Sequence, residues 1–348
     1  MAFEDLVSVL VTYMSRWRNI QIELPFTDFS NVFTGSTTAS GHKAPMLKDF
    51  ILRHPPDAPL FWRRDNTSSQ THVFPLSPKL HAMTIDVPPS VLRSLRLPWA
   101  QLEEISLIPS PKRKSKLYTP NDYLHLGDAL YILGQLHNLK RLTLAIGTLP
   151  TSLPNQPAVL SKLQKLSVFA RPQQFIGFFR GIVLHKLEQL IINKEWDKST
   201  VMTLLSESTH PLKELSLVRI QSMTDDDLFG CLQLVPSITY LHVTSPMNTG
   251  SLAALTPSKP AGDELACVCP NIERMELRCW RPFDALVDLI ERRWRSDMAI
   301  EGMARMKRVR LHLHCRPHTK QQALLEEVGL LVRLQECKDQ GLDIQWQL

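Results

Sequence analysis

His312, His314, Cys315 and His318 carry the donor types of a zinc site within one short stretch. On an extended strand, however, His312 and His314 share one face and Cys315 points to the other, so the four do not converge on a tetrahedral centre. Cys267-x-Cys269 with Cys279 lacks the spacing of a zinc ribbon or finger. These thiols read instead as small buried side chains. Asp225, Asp226 and Asp227 offer adjacent carboxylates, the raw material of a cation site. Thr224 stands directly before them, and a Thr followed by acids is the first turn of a capped helix. The sequence has no Gly-x-x-x-x-Gly-Lys loop, no Gly-x-Gly-x-x-Gly and no Gly-x-Ser-x-Gly elbow, and only 13 glycines to build phosphate-cradling turns. The expectation is a chain that is not an enzyme and that carries no catalytic group, cofactor or metal.

The elements that position any site follow from a repeated pattern. Four segments read apolar-x-x-apolar-x-apolar: Leu139/Leu142/Leu144, Leu163/Leu166/Val168, Leu187/Leu190/Ile192 and Leu212/Leu215/Leu217. They start at steps of 24, 24 and 25 residues. A period in the twenties with this pattern is the signature of a leucine-rich repeat. The alternation that ends each segment predicts a short strand with one buried face. One such strand cannot bury its apolar face alone, so successive copies must stack.

The triplet recurs on both sides. Upstream copies are Leu47/Phe50/Leu52, Leu80/Met83/Ile85 and Leu102/Ile105/Leu107. Downstream copies are Ile238/Leu241/Val243, Ile272/Met275/Leu277 and Met306/Val309/Leu311, with Leu313 extending the last. Pro45, Pro78, Pro211, Pro236 and Pro270 precede first apolar positions, ending a helix and fixing the turn into a strand. Helices are predicted over Leu6–Arg18, Tyr123–Leu136 and Gln321–Cys337, and a last strand over Leu342–Trp346. Residues Thr27–Lys43 and Arg63–His72 read as loops. The predicted fold class is α/β: an irregular leucine-rich repeat solenoid, or horseshoe. Its parallel sheet lines the concave face, with helices and loops on the convex face. The expectation is a single domain over 1–348, with a cap at 1–25, repeats at 44–313 and a cap at 321–348.

Sheet alternation turns the residues between the buried ones to the opposite face, which in a solenoid meets partners. The predicted partner-facing residues are Lys165, Phe169, Tyr240, His242, Arg274, Arg278, Arg308, Arg310 and His312. Arg274, Arg278, Arg308 and Arg310 fall on adjacent strands and predict a positive patch suited to an acidic or phosphorylated segment. The competing expectation is a solvated face balanced by Glu276 and nearby acids.

Bulk properties narrow the partner class. Lys plus Arg number 40 against 34 Asp plus Glu, a formal net charge of +6. That excess is too small to imply nucleic acid. The apolar run Leu6–Tyr13 is too short to span a bilayer and follows acids rather than a positive flank, so no membrane segment is expected. The six cysteines all lie at or beyond Cys231, unlike a secreted disulfide framework, and predict reduced thiols in the cytoplasm or nucleus. Pro111-Lys-Arg-Lys-Ser-Lys116 reads equally as a short nuclear-import signal and as a solvated loop.

Met14-Ser-Arg-Trp-Arg18 followed by Ile20-Gln-Ile22, the Pro-x-Leu-x-x-Leu-x-Leu copies and their irregular lengths resemble the leucine-rich repeat region of fungal F-box-type proteins. The resemblance covers nearly the whole chain. It implies a non-enzymatic substrate-recognition subunit of a cullin-RING ubiquitin ligase, in which an F-box binds a Skp-type adaptor and the repeats hold the substrate. Two departures stand beside it. No F-box with a Leu-Pro-x-Glu-like opening is seen, so a Skp-type adaptor is expected only where an F-box lies upstream. Gly147, Arg171, Glu195 and Ile220 occupy the places where many repeats carry Asn. The alternative is a stand-alone repeat scaffold or sensor without a ubiquitin link.

Overall fold

A computed structural model describes residues 9, 12–23, 43–53, 72–73, 77–86, 92, 95–108, 124–148, 156–208, 210–247, 249–257, 267–280, 283–295, 303–314 and 320–347. The chain divides into two compact units, Met1–His185 and Lys186–Leu348. Of the predicted Leu6–Arg18 helix, residues 6–8, 10 and 11 lie outside the described residues, and the rest ends in a 3-10 turn at Met14–Arg16 with Trp17 extended, so the helix does not reach Arg18 as expected. Residues 27–42 and 63–71 of the two predicted loops, the basic stretch Lys112–Lys116, Cys315 and His318 also lie outside the described residues.

The N-terminal unit is a parallel sheet in which successive strands take neighbouring places. Its strands are β1 (Asn19–Glu23), β2 (Asp49–Arg53), β4 (Ala82–Asp86), β6 (Glu104–Leu107), β8 (Arg141–Thr148) and β10 (Lys165–Ala170). Short strands flank it. β3 (His72–Val73) pairs with β5 (Leu95–Arg96), β7 (Leu124–His125) joins β8, and β9 (Ala158–Leu160) pairs with β11 (Ile182–Leu184). Helix α1 (Leu126–Leu133) is shorter than the predicted Tyr123–Leu136, because its first residues extend into β7. Helix α2 (Pro172–Arg180) opens on a proline, whose missing N–H costs nothing in a first turn.

The C-terminal unit repeats the plan with a helix in each crossover. Its order is β12 (Gln189–Asn193), α3 (Lys198–Glu207), β13 (Glu214–Val218), α4 (Asp225–Leu234), β14 (Tyr240–Met247), α5 (Thr249–Leu255), β15 (Arg274–Trp280), α6 (Asp284–Trp294), β16 (Arg308–His314), α7 (Lys320–Asp339) and β17 (Asp343–Gln347). Each strand pairs in parallel with the next. Parallel neighbours need a crossover, and helices supply it here.

The apolar triplets set the register. Leu190 sits opposite Leu215, Leu215 opposite Leu241, Leu241 opposite Met275 and Met275 opposite Val309. In the N-terminal unit Phe50, Met83, Ile105, Leu142 and Leu166 form the same row. All of these are at most 2 % exposed. The helices bury their own stripes: Val201 and Leu205 on α3, Leu228 and Leu232 on α4, Leu252 and Leu255 on α5, Leu286 and Ile290 on α6, Leu334 on α7.

The helix ends show why the chain turns where it does. The Asp227 N–H donates to Thr224 Oγ1 at 3.2 Å, and the Thr224 N–H donates to Asp227 Oδ2 at 3.1 Å, a reciprocal capping box at the start of α4. Lys198 Nζ lies 2.9 Å from Asp227 Oδ1, so this acid is spent on the fold. Gly341, with φ of 101°, follows α7 in the left-handed conformation that a side chain resists. After β12 and β13, Lys194 and Arg219 adopt φ of 74° and 56°, one residue before Glu195 and Ile220.

Arg293 on α6 is buried to 1 % exposure. Its Nε donates to the Leu255 carbonyl at 2.9 Å, and its Nη2 donates to the Val268 and Cys269 carbonyls at 3.2 Å each. One guanidinium thus ties α6 to the end of α5 and to the turn before β15. Cys269 is buried and Cys267 half-buried. Arg293 Nη2 also donates to Cys267 Sγ at 2.9 Å, and the Cys269 thiol donates to the Leu232 carbonyl at 3.2 Å.

Candidate functional site

The face of the C-terminal sheet opposite the apolar triplets is half-open to solvent and carries the large polar side chains. Register places them in three rows. The first row runs Glu214, Tyr240, Arg274, Arg308, Asp343. Arg274 reaches over Tyr240, its guanidinium carbon 5.1 Å from the ring centroid, and its Nη2 meets Glu214 Oε1 at 2.9 Å. Arg308 Nε meets Asp343 Oδ2 at 2.5 Å. Both arginines of this row are therefore neutralised by a carboxylate.

The second row runs Ser216, His242, Glu276, Arg310, Gln345. Glu276 is its hub, with its side chain 19 % exposed. His242 Nε2 and His312 Nε2 each lie 3.5 Å from Glu276 Oε1. The Tyr240 hydroxyl donates to Glu276 Oε2 at 3.3 Å, and Arg310 Nη1 stands 4.0 Å from the same oxygen. Burial lowers the His242 pKa, opposed by the Glu276 carboxylate and reinforced by His312. Burial, with Glu276 beside it, pushes the Tyr240 hydroxyl up to about 12.

Ser216 Oγ lies 2.9 Å from His242 Nδ1, so a hydroxyl, an imidazole and a carboxylate stand in line across adjacent strands. The order is that of a nucleophile, its base and an orienting acid. What the line can do is constrained by its setting. Ser216 is only 6 % exposed, and strand N–H groups point within the sheet toward neighbouring strands. They are not directed at a carbonyl above the face, where an oxyanion would form. The line orients the His242 ring between Ser216 and Glu276, with Glu276 at the centre of the row.

The third row holds Arg278, opposite His312, which is opposite Gln347. Beside Arg278 the ladder is irregular: β14 shifts register between Val243 and Met247, where Pro246 has no N–H to give. Thr244 Oγ1 there accepts from the Arg219 N–H at 2.5 Å, and the Ser245 hydroxyl donates to the Ile220 carbonyl. Both are thereby engaged away from Arg278. The Arg278 Nε is buried with no hydrogen-bond partner. Among the described residues no carboxylate pairs with this guanidinium.

The expected residues are thus brought together only in part. Tyr240, His242, Arg274, Arg278, Arg308, Arg310 and His312 share one face of one unit. Lys165 and Phe169 lie on β10 of the N-terminal unit, where both are half-buried and Phe169 opposes Ala145. The expected four-arginine positive patch is largely balanced, because Glu214, Glu276 and Asp343 answer Arg274, Arg310 and Arg308. Strand alternation turns Glu214 and Ser216 outward beside the predicted partner-facing residues, and Asp343 on β17 joins them without having been expected. The sequence marks their face but not their partners, which only the register supplies. Among the described residues no group of three His, Cys, Asp or Glu is arranged to hold a metal ion, and no helix is long and apolar enough to cross a membrane.

Comparison of the sequence with protein-family models and with curated proteins gave no match.

Proposed function

We propose that the chain is a non-enzymatic protein-binding module whose partner docks on the open face of the C-terminal sheet. On this reading each unit is a run of irregular leucine-rich repeats, the open face is the concave one, and the chain works in the cytoplasm or nucleus. The observation that carries the reading is the stack at the centre of that face. Tyr240, with the Arg274 guanidinium over its ring and its hydroxyl tied to Glu276, is a large amphipathic side chain held in place on both counts. Rigid Tyr and Arg side chains lose little freedom on binding and dominate protein interfaces. The mixed but slightly basic face suits a segment that carries acidic groups. The sequence resemblance to F-box-type repeat proteins supports a role as the substrate-recognition part of a ubiquitin ligase.

Affinity capture from the native cell tests both levels, with wild type compared against Tyr240→Ala/Arg274→Glu at equal melting temperature. The docking reading requires a protein held by the wild type and released by the double variant. Captured proteins that are the same for both would remove this face from consideration. Co-purification of a Skp-type adaptor supports the ligase role. A retained partner without the adaptor points to the stand-alone scaffold.

A further inference from the structure

We infer that Arg278, with His312 and Arg310, forms a subsite for a phosphorylated side chain of the docked protein, a proposal that rests on the docking face described above. The charged residues of this face are not equivalent. Arg274 and Arg308 each have a carboxylate within 2.9 Å. Arg278 has none among the described residues, yet it is only half-exposed and one of its nitrogens is fully buried and unpaired. An arginine sunk into a sheet face without an anion is an incomplete arrangement, because a buried donor left unsatisfied costs stability.

The neighbours supply what a dianion needs. His312 lies directly opposite Arg278 in the ladder, and its Nε2 is shared only loosely with Glu276, at 3.5 Å. Arg310 is the loosest pair of the face, 4.0 Å from Glu276 with its side chain 49 % exposed, so it is free to swing. The carboxylate of Glu276 stays occupied by Tyr240 and His242 when these two turn away. A single carboxylate is matched by one guanidinium. A phosphoryl group carries up to two charges and three acceptor oxygens, and matches an arginine fork plus further donors. The register shift of β14 beside Arg278 leaves that flank without a regular strand neighbour.

The test uses the full chain, immobilised, and two degenerate peptide libraries that differ only in serine against phosphoserine at a fixed position. Phosphatidylserine vesicles and a single-stranded oligonucleotide serve as other anionic probes. Preferential retention of the phosphorylated library, weakened about tenfold or more in Arg278→Gln, is the expected result, since a charge-assisted fork is lost. Arg278→Lys keeps the charge but not the fork and should recover only part of the binding. Matching melting curves show that the variants are folded. Should either variant fail to fold, His312→Gln and Arg310→Gln must each weaken retention. Equal retention of both libraries overturns the subsite, as does binding that ignores these substitutions or goes only to vesicles or oligonucleotide. If both libraries are held equally and both are released by Tyr240→Ala, the docking face stands and only the phosphate subsite falls.

Discussion

The Arg274 guanidinium lies over the ring of Tyr240, 5.1 Å from its centroid, on the neighbouring strand. The ring in turn sends its hydroxyl to Glu276. Burial and that carboxylate both favour the neutral phenol, whose pKa rises from 10.0 to about 12. In an alkaline titration followed by tyrosinate absorbance, one late-ionising tyrosine is expected. Tyr240→Phe should delete that component, and Glu276→Gln should move it down. A group whose folded pKa is raised stabilises below its unfolded value, so this contribution fades as pH climbs from about 10 through 12. A titration in which Tyr240→Phe leaves the late component in place would contradict the stack.

His242 behaves in the opposite sense at acid pH. Its folded pKa is lowered from 6.5, chiefly by burial, so the unfolded chain binds the proton more readily. Its contribution to stability is complete above 6.5 and is lost as pH falls through the lower folded value. The acid slope of stability just below neutrality should therefore flatten in His242→Gln, whatever that variant costs at pH 8. The carboxylates with lowered pKa, Glu103 beside Lys140 and Asp227 in its capping box, act in a separate window below 4.5 and 3.8. An unchanged slope between pH 7 and 5 would mean that His242 is already solvated.

Arg293 is expected to be among the costliest single positions outside the apolar rows. Replacing it by Met removes the guanidinium bonds to the Leu255, Val268 and Cys269 carbonyls and leaves them only the longer bonds from the Cys267 thiol and the Ile272 N–H. A buried hydrogen bond to a charged donor contributes about 1.5–3 kcal/mol, so a loss of roughly 2 kcal/mol or more is expected. Arg293→Lys should recover little, because one ammonium cannot reach both the end of α5 and the turn before β15. Chemical denaturation of the three proteins reads this directly. A lysine variant as stable as the wild type would show that charge, not the fork, holds α6.

The contrast between these positions shows what a sequence makes legible. Leu142, Leu166, Leu190 and Leu215 announce themselves, because strand alternation and a fixed step fix both face and register, and all are fully buried. The capping of α4 is legible for the same reason, since Thr224 and Asp227 are local to each other. The neutralised arginines are not. Arg274 meets Glu214 across a separation of 60 residues, and only the packed register brings them together. Arg293 reads as an ordinary base near a helix end, which usually faces water. The left-handed turns at Lys194 and Arg219 carry no Gly or Asn to mark them. The division into two units leaves no mark in the rhythm of triplets, which runs on regularly from Leu163 to Leu187 across it.

That rhythm makes the sharpest stability prediction. Leu190 is fully buried, between Leu215 on one side and the interior below, in a row that every strand of its unit continues. Its neighbour Gln189 points to the open face and is half-exposed. Leu190→Ala should cost about 2–5 kcal/mol through lost burial and the cavity left behind. Leu190→Asp adds a charge with no partner beneath the sheet and should yield insoluble or unfolded protein. Gln189→Asp, one residue away on the same strand, should change stability by less than about 1 kcal/mol, as surface substitutions do. Expression, solubility and thermal melting of the three variants separate the two faces. A soluble Leu190→Asp that melts cooperatively at the wild-type temperature would mean that the triplets do not form the core.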